Sequence, residues 1–275
     1  MNKNNRKAKI GVIDSGYGGL TVLNEIIKVL PEYDYIYLGD NARAPYGTKS
    51  FEVVLEHTWE CVTFLFEQGC ELIIIACNTA SAKALRTIQQ LRLNDFPGKR
   101  VLGVIRPSAE IIGQKTTYKK IGVLATEGTV KSNSYTLEIE KFFPDLEVVQ
   151  QACPLWVPLI ENNSFSSPEG AAIVNKDLNH FLVAHPDLDT IILGCTHYPI
   201  MMDLLIDLAP KIHFISQGEI VAQALRSYLS RHLWLVKKLS TGKTVTYLTT
   251  EHPVEFDNKV KELFGLIIYS QNIHL

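Results

Sequence analysis

The sequence predicts an α/β protein built as two similar doubly wound parallel-sheet domains that face each other across a cleft. Three observations point there. Short apolar runs alternate with helix-like stretches, the pattern of a parallel sheet covered by helices on both faces. The runs are continuously apolar, as strands buried on both sides are. The pattern also begins again part-way. "KIGVLATEGT" (120–129) echoes "KIGVIDSGYG" (9–18), and "DTIILGCTHYP" (189–199) echoes "ELIIIACNTA" (71–80).

The elements follow in order. "AKIGVID" (8–14) reads as a strand that ends in the glycine-rich "SGYGG". "LTVLNEIIKVL" (20–30) reads as a helix, with Leu20, Leu23, Ile26, Ile27 and Leu30 at helical spacing. "DYIYLGD" (34–40) is a second strand, and residues 51–69 form a long amphipathic helix ended by Gly69. "CELIIIAC" (70–77) is a third strand, with a helix expected over "SAKALRTIQQLR" (81–92). Hinges are expected near "NDFPGKR" (94–100) and near 210–218. The first domain would then comprise residues 1–100 plus 216–275, and the second 101–215. "STGKT" (240–244) ends like a phosphate-binding loop, but Lys237 stands where its first glycine should be. It reads as a turn before the strand "VTYL". The basic "RHLWLVKK" (231–238) reads as a surface helix end.

Composition bounds the function classes. The chain has 275 residues, 46% hydrophobic and 20% charged, and suits two domains of ordinary size. A net charge of −2 gives no pull toward nucleic acid or anionic membrane. The basic start "MNKNNRKAK" leads into no apolar signal region, because Asp14 interrupts the first apolar run. No run approaches the ~18 residues of a membrane span. The five cysteines, with no CxxC, predict neither a disulfide framework nor a metal site, and a cytoplasmic location fits.

Two of those cysteines stand out. Cys77 and Cys195 each end an apolar strand and are followed at once by polar residues, Asn78-Thr79 and Thr196-His197. Ligands of open α/β sheets bind outside the carboxyl ends of the strands, where Asp14, Asp40, Thr126 and both cysteines are expected. If the halves face each other, the two thiols point into one cleft. Helix starts or turns after them favour anions and lower a thiol's pKa. Metal binding needs more ligands than the nearby His197, a redox pair is more often CxxC, and nucleophilic hydrolysis needs one cysteine. Two identical acid/base groups flanking a substrate suit the inversion of a stereocentre: one removes the Cα proton and the other returns a proton to the opposite face. Cys61, Cys70 and Cys153 read as packing residues.

At these residues a resemblance becomes specific. "IGVIDSGYGGLTVL", "YLGDNARAPYGTKS", "ACNTASA", "LATEGTVKSNSY", "CPLWVPLIEN", "GCTHYP" and "YLTTEHPVEF" resemble, in order, motifs of the glutamate racemases. These belong to the cofactor-independent aspartate/glutamate racemase superfamily. The resemblance covers nearly the whole chain. It implies racemisation of glutamate without a cofactor, supplying D-glutamate for bacterial peptidoglycan. It makes Cys77 the proton carrier for the D-enantiomer and Cys195 that for the L-enantiomer. Asp14 would assist Cys77, and His197 and Glu161 would assist Cys195. Asp14, Ser15, Tyr46, Gly47, Asn78, Thr79, Thr126, Thr129, Thr196 and His197 would bind the substrate. Gly16, Gly18 and Gly19 are expected to let the backbone turn tightly and close on the ligand. The expected partners are glutamate and a second copy of the chain, with no nucleic acid and no membrane.

The pattern is departed from at Ser108, where the family usually has Gly, and in "FISQGE" (214–219), which lacks the Asp-Ser often found before that Gly. Two other readings stand beside the main one: an aspartate racemase, and a binding protein that kept the fold and lost catalysis. His197 after Cys195 favours glutamate over aspartate, and a pure binder has no need of two thiols.

Overall fold

The structure, a computed structural model, describes residues 7–275, so the first six residues of the basic start lie outside the described residues. Among the described residues there are ten short strands, most of them the apolar runs of the sequence. They are β1 (Lys9–Asp14), β2 (Tyr35–Gly39), β3 (Cys70–Ile75), β4 (Arg100–Gly103), β5 (Lys120–Ala125), β6 (Glu147–Ala152), β7 (Thr190–Gly194), β8 (His213–Ile215), β9 (Val245–Thr249) and β10 (Ser270–Asn272). They form a six-stranded sheet in the order β10-β9-β2-β1-β3-β4 and a four-stranded sheet in the order β6-β5-β7-β8. Every pairing is parallel. The central strands β1, β2, β3 and β7 are buried almost throughout, which is why they read as unbroken apolar runs.

The second sheet repeats the middle of the first. β6-β5-β7-β8 has the winding of β2-β1-β3-β4, so β5 stands where β1 does and β7 where β3 does. The two sequence echoes are therefore echoes of position. Each sheet reverses its winding at its central pair, β1/β3 and β5/β7. At such a switch point the connections leave to opposite faces and open a crevice at the strands' carboxyl ends. Asp14 and Cys77 lie at one crevice, Thr126 and Cys195 at the other.

Apolar faces of helices fill both sides of each sheet. Leu20, Leu23 and Ile26 of helix Leu20–Val29 and Val221, Leu225 and Leu229 of helix Gln217–Arg231 share one core cluster with β1 and β2. The chain after residue 216 thus returns to the first sheet and adds β9 and β10 to its edge. Leu235 of "RHLWLVKK" joins that core, so the stretch is partly interior. The turn before β9 forms as expected. Asp34 accepts hydrogen bonds from the Gly242 N–H (3.0 Å), the Thr244 N–H (2.8 Å) and the Thr244 hydroxyl (2.6 Å).

Two expectations are adjusted. β4 runs three residues past the boundary expected at residue 100, because Val101, Leu102 and Gly103 pair with Ile73, Ile74 and Ile75 of β3, whose backbone groups on that side need partners. The helix expected over 81–92 starts earlier, at Asn78, and is broken. Helix Asn78–Lys83 is followed by a turn of α-helix at Leu85–Thr87 and a π-helical stretch at Ile88–Arg92. The Gln89 side chain ties that stretch to the Val101 carbonyl (2.8 Å) and so docks it on β4. Among the described residues no helix is long and apolar enough to cross a membrane.

Candidate active site

Cys77 follows β3 and serves as N-cap of helix Asn78–Lys83, its sulfur accepting from the Ala80 N–H at 3.4 Å. The Ser15 hydroxyl lies 3.4 Å from the same sulfur. Asp14, at the end of β1, is wholly buried. Its carboxylate accepts from the Gly16 N–H (3.0 Å) and, from the other half of the molecule, from the Thr196 hydroxyl (3.3 Å). Burial raises the Asp14 pKa, against the pull of His197 and the loop N–H groups.

Cys195 follows β7. Its sulfur faces His197 Nδ1 at 3.9 Å, and His197 Nε2 meets Glu161 Oε1 at 2.9 Å. Glu161 is the last residue of helix Trp156–Glu161, so it is anchored rather than adrift in a loop. Lys259 also donates to its carbonyl at 2.8 Å. Burial pulls the His197 pKa down, but the hydrogen bonds to Cys195 and Glu161 outweigh it and raise the imidazole to about 10. These contacts favour the charged form of His197.

The helix start after Cys77 does not lower its thiol pKa as expected. Burial, followed by the Asp14 charge, pushes it up to about 12, beyond what the Ser15 and Ala80 contacts recover. A low-dielectric site beside a carboxylate favours the neutral thiol. The two thiols lie close enough to sense each other electrostatically and are only 5% and 7% exposed, so the site is shielded from water.

Between them the halves are zipped by small polar groups. Thr79 Oγ1 lies 2.9 Å from Thr126 Oγ1 and 3.3 Å from Thr129 Oγ1, and Thr126 and Thr129 are 3.1 Å apart. Gly47 abuts Thr126, where a β-carbon would stand 3.1 Å from Thr126 Cβ. The Tyr46 hydroxyl, however, is bound to buried Asp40, which Arg43 also grips, so what Tyr46 offers the cleft is backbone. Asn78 is 1% exposed, and its Nδ2 is buried with no hydrogen-bond partner.

The glycine loop has a use the sequence did not reveal. Gly16, Gly18 and Gly19 are not at positive φ. A β-carbon on Gly18 would stand 2.5 Å from Thr196 Oγ1, and one on Gly19 would stand 2.4 Å from Asp14 Cβ. The loop admits Thr196, His197 and Asp14 rather than a tight turn. Thr21 and Tyr37 also escaped notice: the Thr21 hydroxyl donates to the Thr196 carbonyl (3.0 Å) and that of Tyr37 to the Gly16 carbonyl (2.8 Å). The two departures from the family pattern meet, since Gln217 Nε2 donates to Ser108 Oγ at 3.0 Å. Among the described residues no group of three or more His, Cys, Asp or Glu is placed to hold a metal ion. A surface cavity of about 610 Å³, bordered by Thr21, Lys28, His213 and Ser216, includes neither thiol.

Known proteins share this fold. Residues 10–225 match the family described as Asp/Glu/Hydantoin racemase. The glutamate racemase of Oceanobacillus iheyensis is 41% identical over 224 residues, covering 81% of this chain and 80% of that one. The crystal structure of a glutamate racemase isoform from Bacillus anthracis superposes with a TM-score of 0.87 at 33% identity, covering 98% of both chains. That of the Francisella tularensis glutamate racemase in complex with D-glutamate gives 0.85 at 30% identity, also covering 98% of both.

Proposed function

The chain belongs to the Asp/Glu/Hydantoin racemase family and stands among its glutamate racemases, isomerases of an amino acid, and from that premise we propose that it interconverts L- and D-glutamate without a cofactor, Cys77 and Cys195 carrying the protons. The observation that carries this reading is the pair of buried thiols at matching strand ends of two like-built halves, each facing a polar side chain, Ser15 at Cys77 and His197 at Cys195.

From L-glutamate, Cys195 removes the Cα proton. The electron pair left on Cα spreads into the adjacent carboxylate, and the Cys77 thiol delivers its proton to the opposite face. With its pKa near 12, Cys77 is loaded as the donor at neutral pH. The His197 imidazolium, steadied by Glu161, offsets the charge carried through Cys195. In the reverse direction Cys77 must first surrender its proton, and Asp14 is the buried carboxyl at hand to exchange it. The threonine hydroxyls, Ser15, Thr196, the Tyr46-Gly47 backbone and the free Asn78 Nδ2 supply donors for the substrate's carboxylates. Excluding water keeps the Cα carbanion from random protonation.

Glutamate is favoured over aspartate because the relatives named above are glutamate racemases and His197 stands in the second cysteine motif. A silent binding protein is disfavoured because it has no use for two buried thiols at matching strand ends. The same reading places the activity in the cytoplasm, supplying D-glutamate for peptidoglycan. The test is circular dichroism of L-glutamate incubated with enzyme dialysed against chelator and carbonyl-trapping reagents. The signal should decay to zero as the racemic mixture forms. A signal that persists with dialysed and undialysed enzyme alike refutes the activity, and activity lost on dialysis and restored only by a metal or pyridoxal phosphate refutes the cofactor-free mechanism.

A further inference from the structure

Tyr135 lies in helix Ser134–Glu140 of the second half and is fully buried. Its hydroxyl crosses to the first half and donates to Asn78 Oδ1 at 2.7 Å. Asn78 is the residue after Cys77. A planar amide has nearly the same shape with its oxygen and nitrogen exchanged, so its surroundings decide which end faces a ligand. The Tyr135 O–H claims the carbonyl end, and the Nδ2 end is left buried and without a partner in the protein. Buried donors are nearly always satisfied, so one left free beside a reactive thiol is matched to a ligand acceptor.

We infer that Tyr135 is a positioning residue that locks the Asn78 amide with its N–H groups turned toward a substrate carboxylate. This rests on the reading that glutamate binds between the two thiols. Because the two residues belong to different halves, the amide is set only when the halves are closed on each other. Without the tyrosine hydroxyl the amide is free to rotate and present its oxygen to the carboxylate, a repulsive contact. The tyrosine's helix packs on helix Ile105–Ile111, which packs on helix Gln217–Arg231. Gln217 in turn donates to the Val104 carbonyl (3.1 Å) and to Ser108 Oγ (3.0 Å). The two places where this chain departs from its family's pattern thus stand together behind the tyrosine.

The test is Tyr135→Phe, which removes one oxygen and keeps the ring's packing. KM for both enantiomers should rise about tenfold, the cost of one lost hydrogen bond, with kcat within about twofold. In an Asn78→Ala background the same substitution should change KM by less than about twofold, because the two residues act as one unit. In substrate-free enzyme the Asn78 side-chain NH2 resonances should shift or broaden in Tyr135→Phe. An unchanged KM with unchanged NH2 resonances overturns the inference. So does a fall in kcat and Tm that is equal in both backgrounds, the signature of mere packing. If the wild type does not racemise glutamate, the functional reading falls, and the NH2 resonances alone decide whether Tyr135 sets the amide.

Discussion

A β-carbon on Gly18 would stand 2.6 Å from Nδ1 of His197, a residue of the opposite half of the molecule. The loop after β1 is therefore a seat for the imidazole that faces Cys195. Gly18→Ala must push the halves apart or displace His197, and kcat/KM should fall at least about 100-fold, the penalty of a misplacement near 1 Å. Gly16 is the internal control, since its nearest neighbours would lie 3.8 Å from an added β-carbon. Gly16→Ala should keep the fold and most of the activity. Steady-state kinetics on the pair checks the contrast, and equal losses would contradict it.

His197 bridges Cys195 and Glu161 with its pKa raised from 6.5 to about 10, so folding favours its charged form. The stability this supplies is fully present below pH 6.5 and is lost as the pH rises through 10. The size should be on the order of a few kcal/mol. Denaturant midpoints of wild type and His197→Gln, followed from pH 6 to 10, should therefore converge as the pH rises. Glu161→Gln should remove part of the slope, because one of the two groups that raise the imidazole is gone.

The five cysteines should divide into two classes. Cys61 and Cys70 are fully buried and Cys153 nearly so, and burial pushes all three thiols up, Cys70 to about 12. Their alanine variants should lose about 1–2 kcal/mol of stability, as small core truncations do, with kcat little changed. Cys77→Ala and Cys195→Ala should instead lose at least about 100-fold in kcat through a missing acid or base. Thermal melts beside rate assays separate the classes.

The strand-end positions of Asp14, Cys77, Thr126 and Cys195 were legible because parallel strands buried on both faces leave unbroken apolar runs whose ends are plain. The repeated winding was legible because β5 and β7 keep the residue types of β1 and β3. What escaped depends on contacts between distant segments. Nothing near Gly18 announces His197, nothing near Tyr135 announces Asn78, and Ser108 and the 214–219 stretch stand out in the sequence only one by one, with no sign that the fold sets Ser108 and Gln217 3.0 Å apart. The upward direction of the Cys77 pKa is hidden from the sequence for the same reason. A helix start is visible in sequence, whereas the burial and the Asp14 charge that outweigh it are products of packing.

The central claim is that two thiols approach Cα from opposite faces, Cys77 serving the D-enantiomer and Cys195 the L-enantiomer. The most direct measurement is elimination from glutamate analogues that carry a good β-leaving group. Here one thiol removes the Cα proton, the Cα electron pair expels the leaving group, and no second thiol is required. Cys195→Ser should process the D-analogue in preference to the L-analogue, and Cys77→Ser should show the mirror preference. A clean reversal would keep the opposed geometry and exchange only the assignment of hand. Equal processing of both enantiomers by each variant would contradict the account, because a single residue would then be serving both faces.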